Sequence, residues 1–303
     1  MSVQTDMQPI VLAISGGIDS VVLLDVLARQ LDSRQLIVAH FDHGIRPDSS
    51  DDALFVGALA DRYGLRFETE RKELGTSASE EMARAARYEF LHGIRRTYNA
   101  RAIVTAHHQD DLVETAVMNL LRGTGRKGLG SLRSTDEIWR PLLSLRKRDL
   151  ELYARTHGLH WREDSTNSDT KYRRNYVRRV MIPKAEAKDP AFREKLLAFI
   201  DRAHQLNGEA DSQLDAWLTK YAQDEGQGIL IPRHQLIMLS HAESREVIMT
   251  ILRKLGARDV SAKNLERFSV AAKTAVLRSK HDACCHIHMQ VMPERAIFFG
   301  PRT

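Results

Sequence analysis

The stretch Ile10-Val-Leu-Ala-Ile-Ser-Gly-Gly-Ile-Asp-Ser20 decides the fold of this chain. Residues 10–14 form an apolar run typical of a buried strand, and residues 20–31 carry apolar side chains at helical spacing. Between them, Gly16 and Gly17 let backbone N–H groups approach a ligand, while the start of the helix supplies free donors and a partial positive charge. This stretch predicts a phosphate-binding turn without the lysine of a Walker loop. A capped turn without a ligand is the alternative.

Strand-like and helical patterns alternate over the first 120 residues. Apolar runs follow at 36–39 and 102–105, a further candidate strand lies at 65–69, and helical spacing follows at 51–63, 79–94 and 110–121. This alternation predicts a parallel sheet covered on both faces. Because ligands of such sheets bind beyond the carboxyl ends of the strands, we expect the site at residues 15–20, 40–46 and 106–111.

The remainder of the chain has a different pattern. Residues 122–134 hold four glycines among basic residues and predict a loop. Helical patterns follow at 146–156, 189–221, 241–255 and 261–277, and strand-like alternation at 284–299. We therefore predict an α/β, Rossmann-like domain over residues 1–185, followed by a smaller, mainly helical domain over residues 186–303.

The charge of the chain is unevenly distributed. Of 45 Lys and Arg and 40 Asp and Glu in all, 16 basic but only 7 acidic residues lie between Arg122 and Lys184. Such a basic segment favours a polyanionic partner. A solvated helical face is the alternative.

Composition and cysteine usage exclude several classes of protein. Hydrophobic residues make up 43% and charged residues 28%, and no apolar run approaches the roughly 18 residues of a membrane span. Residues 1–8 lack the features of a signal peptide. The only cysteines, Cys284 and Cys285, are adjacent, which fits a reduced, cytoplasmic location and excludes a cysteine mechanism in the first half. The nearby His281, His286 and His288 favour strand alternation over a metal site.

Several motifs together resemble a known family. The turn S-G-G-x-D-S at residues 15–20 is similar to the PP-loop of N-type ATP pyrophosphatases. Seven further stretches, in this order, resemble the tRNA(Ile)-lysidine synthetase family: HFDHGIR at 40–46, AARYEFL at 85–91, AHHQDDLVET at 106–115, LRGTGRKGL at 121–129, RPLL at 140–143, REDSTN at 162–167 and RN at 174–175. The resemblance is dense over residues 8–185 and beyond them rests on length and helical pattern.

The resemblance implies roles for particular residues. It assigns ATP binding to Ser15, Gly16, Gly17, Ile18, Asp19, Ser20 and His40. It assigns catalysis to Asp19, Asp110, Asp111 and Arg122. Mg²⁺ falls to Asp110 and Asp111, since adjacent carboxylates plus phosphate oxygens suit that ion; helix capping is the alternative. Contacts with lysine or tRNA fall to Arg126, Lys127, Glu163, Asp164, Arg173, Arg174, Asn175 and Arg178.

The reaction that the resemblance implies is ligation of L-lysine to C2 of the wobble cytidine of a tRNA(Ile) with a CAU anticodon. The cytidine is first adenylated, and AMP and pyrophosphate are released. The lysine amine must attack uncharged, and Asp19, Glu114, Glu163 and Asp164 are candidates for its base. A homodimer is compatible with the family. The alternatives are another tRNA-modifying or amide-forming PP-loop enzyme, of which a thiolase is disfavoured by the cysteine positions, and a non-catalytic nucleotide-binding protein.

Overall fold

The computed structural model describes residues 8–44, 49–75, 79–124, 127–130, 132–162, 173–224, 226, 228–257, 260–282 and 287–300. The chain divides into two compact units, Met1–His204 and Gln205–Thr303. The boundary predicted at residue 185 lies inside the first of these units.

The first unit is built on a five-stranded parallel sheet. Its strands are β1 (Ile10–Ala13), β2 (Leu36–Asp42), β3 (Arg66–Arg71), β4 (Ala102–Thr105) and β5 (Ile138–Trp139). They lie in the order β3-β2-β1-β4-β5. β1 pairs in parallel with both β2 and β4, with Ile10 opposite Leu36 on one side and Ala102 on the other. The predicted α/β class is confirmed.

The order of the strands creates a crevice. The chain runs from β1 outward to β3, then returns to place β4 on the other side of β1. The connections after β1 and β4 therefore diverge, which is where ligands of open α/β sheets bind. The helices of this unit are α1 (Ile18–Gln30), α2 (Ser49–Arg62), α3 (Glu80–Thr97), α4 (Gln109–Leu121), α5 (Lys147–Thr156), α6 (Arg173–Tyr176), α7 (Ile182–Lys188) and the start of α8 (Phe192–Tyr221).

Alternate residues of the strands face two apolar clusters. Leu12 and Val38 pack with side chains of α1, α2 and α5 on one face of the sheet. Val11 and Ile103 pack with Phe90 and Leu91 of α3 on the other. This period of two is what a sheet covered on both faces requires.

A buried carboxylate fastens α5 to α1. Asp25 of α1 is fully buried and accepts hydrogen bonds from Arg29 Nε at 2.7 Å, Tyr63 Oη at 2.5 Å and Tyr153 Oη of α5 at 2.8 Å. Burial opposes its charge, but these three donors outweigh it and lower the pKa of Asp25. The carboxyl-terminal half of α5 is thereby held against the second half of α1.

A wide helical turn separates α6 from α7. Residues Val177–Met181 are π-helical, which means that the backbone hydrogen bonds span five residues instead of the four of an α-helix. Val177 is the first residue of this turn, and Ile182 is the first residue after it. Both are buried in a cluster with Val113 of α4 and Ile200 of α8. Such turns occur often at functional sites.

The second unit combines helices with an antiparallel sheet. Its strands, in the order β6-β7-β10-β9-β8, are β6 (Gln223–Asp224), β7 (Gly228–Pro232), β8 (Lys280–Asp282), β9 (His288–Val291) and β10 (Arg295–Phe299). The end of α8 and α9 (Arg233–Met238), α10 (His241–Lys254) and α11 (Ala262–Thr274) accompany it. The sheet is larger than the alternation at 284–299 predicted, because β6, β7 and β8 lie outside that range.

The core of the second unit is apolar. Phe268, Phe298 and Ile248 are fully buried in it, and the buried hydroxyls of Ser244 and Ser269 lie 2.7 Å apart. Ser240 caps α10 in a reciprocal capping box with Glu243. Among the described residues, no helix combines the length and apolarity needed to cross a membrane.

Candidate active site

The turn after β1 is closed by its own serines. The Ser20 hydroxyl donates to the carbonyl of Gly17 over 2.8 Å and accepts from the amide of Ser15 over 3.2 Å. Gly16 has a φ of +87°, a conformation that favours glycine. Gly17 is the N-cap of α1, and within the described residues no side chain caps this helix. Its first-turn N–H groups are therefore available to bind an anion.

Asp19, in the first turn of α1, is paired with Lys147, the first residue of α5. The Nζ atom of Lys147 lies 2.7 and 2.8 Å from the two carboxylate oxygens of Asp19. The backbone N–H of Lys147 donates to Oδ2 of Asp110 over 2.8 Å. One lysine thus links the turn after β1 to the acidic motif after β4.

The adjacent carboxylates after β4 have separate partners. Asp110 Oδ1 lies 2.7 Å from Arg193 Nη1 of α8. Asp111 Oδ1 lies 2.8 Å from Arg174 Nη2 of α6, and its Oδ2 accepts from the N–H of His108 over 3.1 Å. Burial opposes both charges, but the backbone N–H of Lys147 and Arg193 lower the pKa of Asp110, and His108 and Arg174 lower that of Asp111.

Glu114 lies deepest of the acidic residues on α4. Only 2% of its side chain is exposed, and it is held by two arginines: Arg178 Nε at 2.6 Å and Arg174 Nε at 3.0 Å. The hydrogen bond to Glu114 is the main cause that raises the pKa of Arg178. Glu114 therefore fixes the segment containing α6 and the π-helical turn against α4.

These contacts pair every cation of the cleft with a carboxylate. Four cations, on Lys147, Arg174, Arg178 and Arg193, face five carboxylates, on Asp19, Asp110, Asp111, Glu114 and Glu186. A polyphosphate that enters such a cleft finds cations already collected at its walls, and it competes with carboxylates for them.

The two histidines after β4 differ in environment. His108 is buried, and its Nε2 atom lies 3.7 Å from an oxygen of Asp19 and 3.5 Å from one of Asp111. The Nδ1 atom of His107 lies 2.8 Å from the hydroxyl of Thr105. Burial, with help from the positive charge of Arg140, lowers the pKa of His107 to about 3 against the attraction of Asp111, so His107 is neutral at pH 7.

His40 lies at the end of β2, next to the same turn. It is buried, and its Nδ1 atom is 2.9 Å from the carbonyl oxygen of Ile14. Since a carbonyl only accepts, Nδ1 carries the proton. Its ring therefore braces the end of the strand that leads into the turn at residues 15–20.

The other predicted site residues are dispersed. Arg122 follows α4 in an exposed turn, and Lys127 is exposed in the glycine-containing loop. Arg173 is exposed, whereas Asn175 is buried. Arg174 and Arg178, predicted among the substrate contacts, point to Asp111 and Glu114. Arg126, Glu163 and Asp164 lie outside the described residues, as do Cys284, Cys285 and His286.

Sequence reasoning missed Lys147 and Arg193. Both are basic residues in the first turn of a helix, α5 and α8, where the macrodipole disfavours a positive charge. That mismatch is the signal that could have found them: a cation at the wrong end of a helix needs a carboxylate from elsewhere.

The donor set suits a hard divalent cation such as Mg²⁺. Each of the four oxygens of Asp110 and Asp111 accepts one hydrogen bond of 2.7 to 3.1 Å. Nitrogen atoms of His108 and Arg178 lie 3.5 to 3.8 Å from three of these oxygens, and each carboxylate oxygen has a second lone pair. Among the described residues, no group of three or more His, Cys, Asp or Glu is arranged to hold a metal alone. Such a pair fits an ion that takes its remaining ligands from phosphate and water.

Comparison with known proteins agrees with this geometry. The family model for the PP-loop domain matches residues 2–185. A tRNA(Ile)-lysidine synthase from Thermus thermophilus is 39% identical over 259 residues, which cover 82% of this chain and 50% of the relative. An enzyme of the same name from Nitrosomonas europaea is 38% identical, over 67% of this chain and 45% of the relative. Another from Burkholderia pseudomallei is 31% identical, over 93% of this chain and 58% of the relative. The chain thus spans about half the length of these curated relatives.

A solved structure shares the fold. The U34-tRNA thiolase from Methanococcus maripaludis, with its [4Fe-4S] cluster, superposes with a TM-score of 0.53 at 18% identity, over 65% of this chain and 71% of its own. At that identity the likeness concerns the fold alone.

Proposed function

This chain belongs to the PP-loop domain family, and from that premise we propose that it is an ATP-dependent ligase. It joins L-lysine to C2 of the wobble cytidine of a tRNA(Ile) with a CAU anticodon and releases AMP and pyrophosphate. The observation that carries the proposal is the link of Asp19, Lys147 and Asp110 across the crevice between β1 and β4. The similarity to tRNA(Ile)-lysidine synthases supports the choice of substrates.

The turn at residues 15–20 has the chemistry to hold the phosphates of ATP. Its backbone donors and the amino end of α1 stabilise negative charge, and Lys147 adds a cation when phosphate oxygens replace Asp19 as its partner. Asp110 and Asp111 would hold Mg²⁺, which neutralises phosphate charge when bound. Replacement of both by Asn is then expected to raise the Mg²⁺ concentration needed for ATP–pyrophosphate exchange. An unchanged Mg²⁺ titration would mean that the two carboxylates only cap α4.

Adenylation converts the C2 oxygen of the cytidine into a leaving group, and the lysine amine then displaces AMP. The target base must leave its stack to enter the crevice. Asp111 and Glu114 are the buried carboxylates that would attract the lysine ammonium. Since a negative charge by itself raises the pKa of an amine, attack also requires a carboxylate such as Glu114 to accept the ammonium proton. Exposed basic residues such as Arg173, Lys127 and Arg122 would contact phosphates of the tRNA.

The test is incorporation of labelled lysine. The purified protein is incubated with ATP, Mg²⁺, lysine and a tRNA(Ile) transcript with a CAU anticodon, beside a transcript in which the wobble cytidine is uridine. We expect lysine incorporation and equal release of AMP only with the first transcript. Release of pyrophosphate without lysine, or with ammonia or a sulfur donor instead, would favour another PP-loop reaction. No nucleotide turnover with any of these would favour a binding protein. We further propose a cytoplasmic location, and a homodimer is a prediction that light scattering tests.

A further inference from the structure

Helices α1 and α5 meet through two polar contacts that have the same spacing along both helices. Asp19 of α1 meets Lys147 of α5, and six residues further along each helix Asp25 accepts a hydrogen bond of 2.8 Å from the hydroxyl of Tyr153. We call the pair of Asp19 and Lys147 the outer contact, and the pair of Asp25 and Tyr153 the inner contact. The equal spacing means that the helices lie side by side in the same direction, with about 9 Å between the contacts.

The two contacts differ in their exposure to solvent. In the outer contact, 37% of the Lys147 side chain and 29% of the Asp19 side chain are exposed. In the inner contact, the carboxylate of Asp25 is fully buried and also accepts from Arg29 and Tyr63. Because ion pairs in contact with water are weak, a ligand can replace Asp19 as the partner of Lys147. The same ligand does not reach the buried carboxylate of the inner contact.

Apolar packing accompanies the inner contact. Leu150 and Ala154 of α5 are buried in the same cluster as Val22 and Leu24 of α1. The amino end of α5 has a further tie, from the backbone N–H of Lys147 to Asp110. A helix tied at one end can still swing about that end, so its direction depends on a second tie further along.

We propose that Tyr153 is a positioning residue for the reaction with ATP: through Asp25 it holds α5 in the direction that brings Lys147 to the phosphates. This inference rests on the proposed function, and it deepens it by naming a residue that acts on the same site without touching the substrate. In the absence of ATP, the outer contact itself holds the side chain of Lys147. When phosphate oxygens replace Asp19, that support is lost, and the inner contact keeps α5 in place.

The experiment compares Tyr153→Phe with Tyr63→Phe as the matched control. Each variant removes one hydroxyl from the same buried carboxylate and leaves two donors in place. Tyr153 lies on the helix of Lys147, whereas Tyr63 follows α2. Binding of a non-hydrolysable ATP analogue with Mg²⁺ is measured by calorimetric titration. We expect Tyr153→Phe to raise the Kd about 10-fold, the usual value of a hydrogen bond to a charged group, and Tyr63→Phe to leave it close to the wild-type value.

A double variant separates positioning from a general loss of structure. Lys147→Gln should raise the Kd for the analogue by itself, because it removes the cation. If Tyr153 acts through Lys147, Tyr153→Phe has no further effect when Lys147→Gln is already present. Effects that multiply in the double variant would overturn the proposal, because Tyr153 would then act on the fold as a whole. Equal changes in Tyr153→Phe and Tyr63→Phe, or no change in either, would also overturn it.

The titration needs no turnover, so it separates this inference from the proposed function. If the wild-type protein forms no lysidine but the two tyrosine variants differ in Kd as expected, the function fails and the positioning role holds. If lysidine forms and both variants bind the analogue equally well, the function holds and the positioning role fails. Where both hold, Tyr153→Phe should raise the KM for ATP in the lysine-incorporation assay and leave the KM for lysine unchanged.

Discussion

The two units of this chain bury different chemistry. In the first, charged side chains are enclosed: Asp25 and Glu114 are nearly inaccessible, and Arg140 is 7% exposed. In the second, the buried polar residues of the described part are Ser244 and Ser269, which bond to each other. Buried ion pairs contribute little to stability because desolvation offsets their attraction, whereas apolar burial contributes directly. We infer from this difference that the enclosed charges of α4 belong to the functional part of the molecule, whereas Asp25 and the apolar core hold the fold together.

The largest effect on activity is expected at Asp19, which lies in the acidic cleft of the first unit and pairs with Lys147. We expect Asp19→Asn to lower ATP–pyrophosphate exchange by about 1,000-fold, the upper range for loss of one positioned polar group, while the melting temperature changes little. Asp61→Asn, at an exposed position on α2, is the control and should keep full exchange. A variant that exchanges pyrophosphate at the wild-type rate would contradict the role of Asp19.

The opposite result is expected in the core of the second unit. Phe268 is fully buried, so Phe268→Ala should lower the free energy of unfolding by about 3–5 kcal/mol in a urea titration. Phe199, whose exposed fraction is 53%, provides the matched control, and Phe199→Ala should cost less than about 1 kcal/mol. Equal costs at the two positions would show that burial does not set stability here.

A smaller effect concerns the neutral histidine of the first unit. Folding lowers the pKa of His107 from 6.5 to about 3, so below pH 6.5 the unfolded chain binds a proton that the folded chain does not. His107 therefore contributes a loss of stability as the pH falls, by about 1 kcal/mol between pH 7 and 5.5. His107→Gln should remove this part of the slope, as urea titrations at several pH values would reveal. An identical slope in the variant would mean that His107 titrates normally in the fold.

The smallest effect is expected at the surface. Arg173 is exposed and has no contact with another side chain within the described residues, whereas Arg174 is held by Asp111 and Glu114, so we expect Arg173 to meet a tRNA phosphate more readily. Arg173→Ala should weaken tRNA binding a few-fold and reduce the slope of log affinity against log salt by about one unit. Arg96→Ala, at an exposed position on α3, serves as the control. If Arg173→Ala leaves the slope intact, Arg173 belongs to a solvated face.

The sequence predicted the elements whose pattern is local. β1, β2 and β4 are continuous apolar runs, and the structure has them where the periodicity placed them. β5 consists of two residues, Ile138–Trp139, and exists only because β4 offers an edge to pair with. The strands of the second sheet were harder for the same reason, since short strands such as Gln223–Asp224 have no period of their own.

The residues of the candidate site also differ in whether a local sequence pattern could predict them. Residues that follow a strand directly, such as Ser15, Asp19 and Asp110, could be proposed from position. The partners that complete them could not, because Lys147 lies 128 residues from Asp19 and Arg193 lies 83 residues from Asp110. Contacts at such separations depend on how helices pack, which a local window does not contain.

The π-helical turn at Val177–Met181 sets the phase of α7. Arg174, Arg178 and Ile182 are spaced four residues apart, so they lie along one face of the segment, and this face is turned towards α4. The two arginines reach Glu114 of α4, and Ile182 reaches the apolar cluster that contains Val113. An α-helix advances about 100° per residue, so insertion of one residue between Arg178 and Ile182 would change the angle between them by about that amount. The number of residues in this segment is therefore constrained as well as their identity.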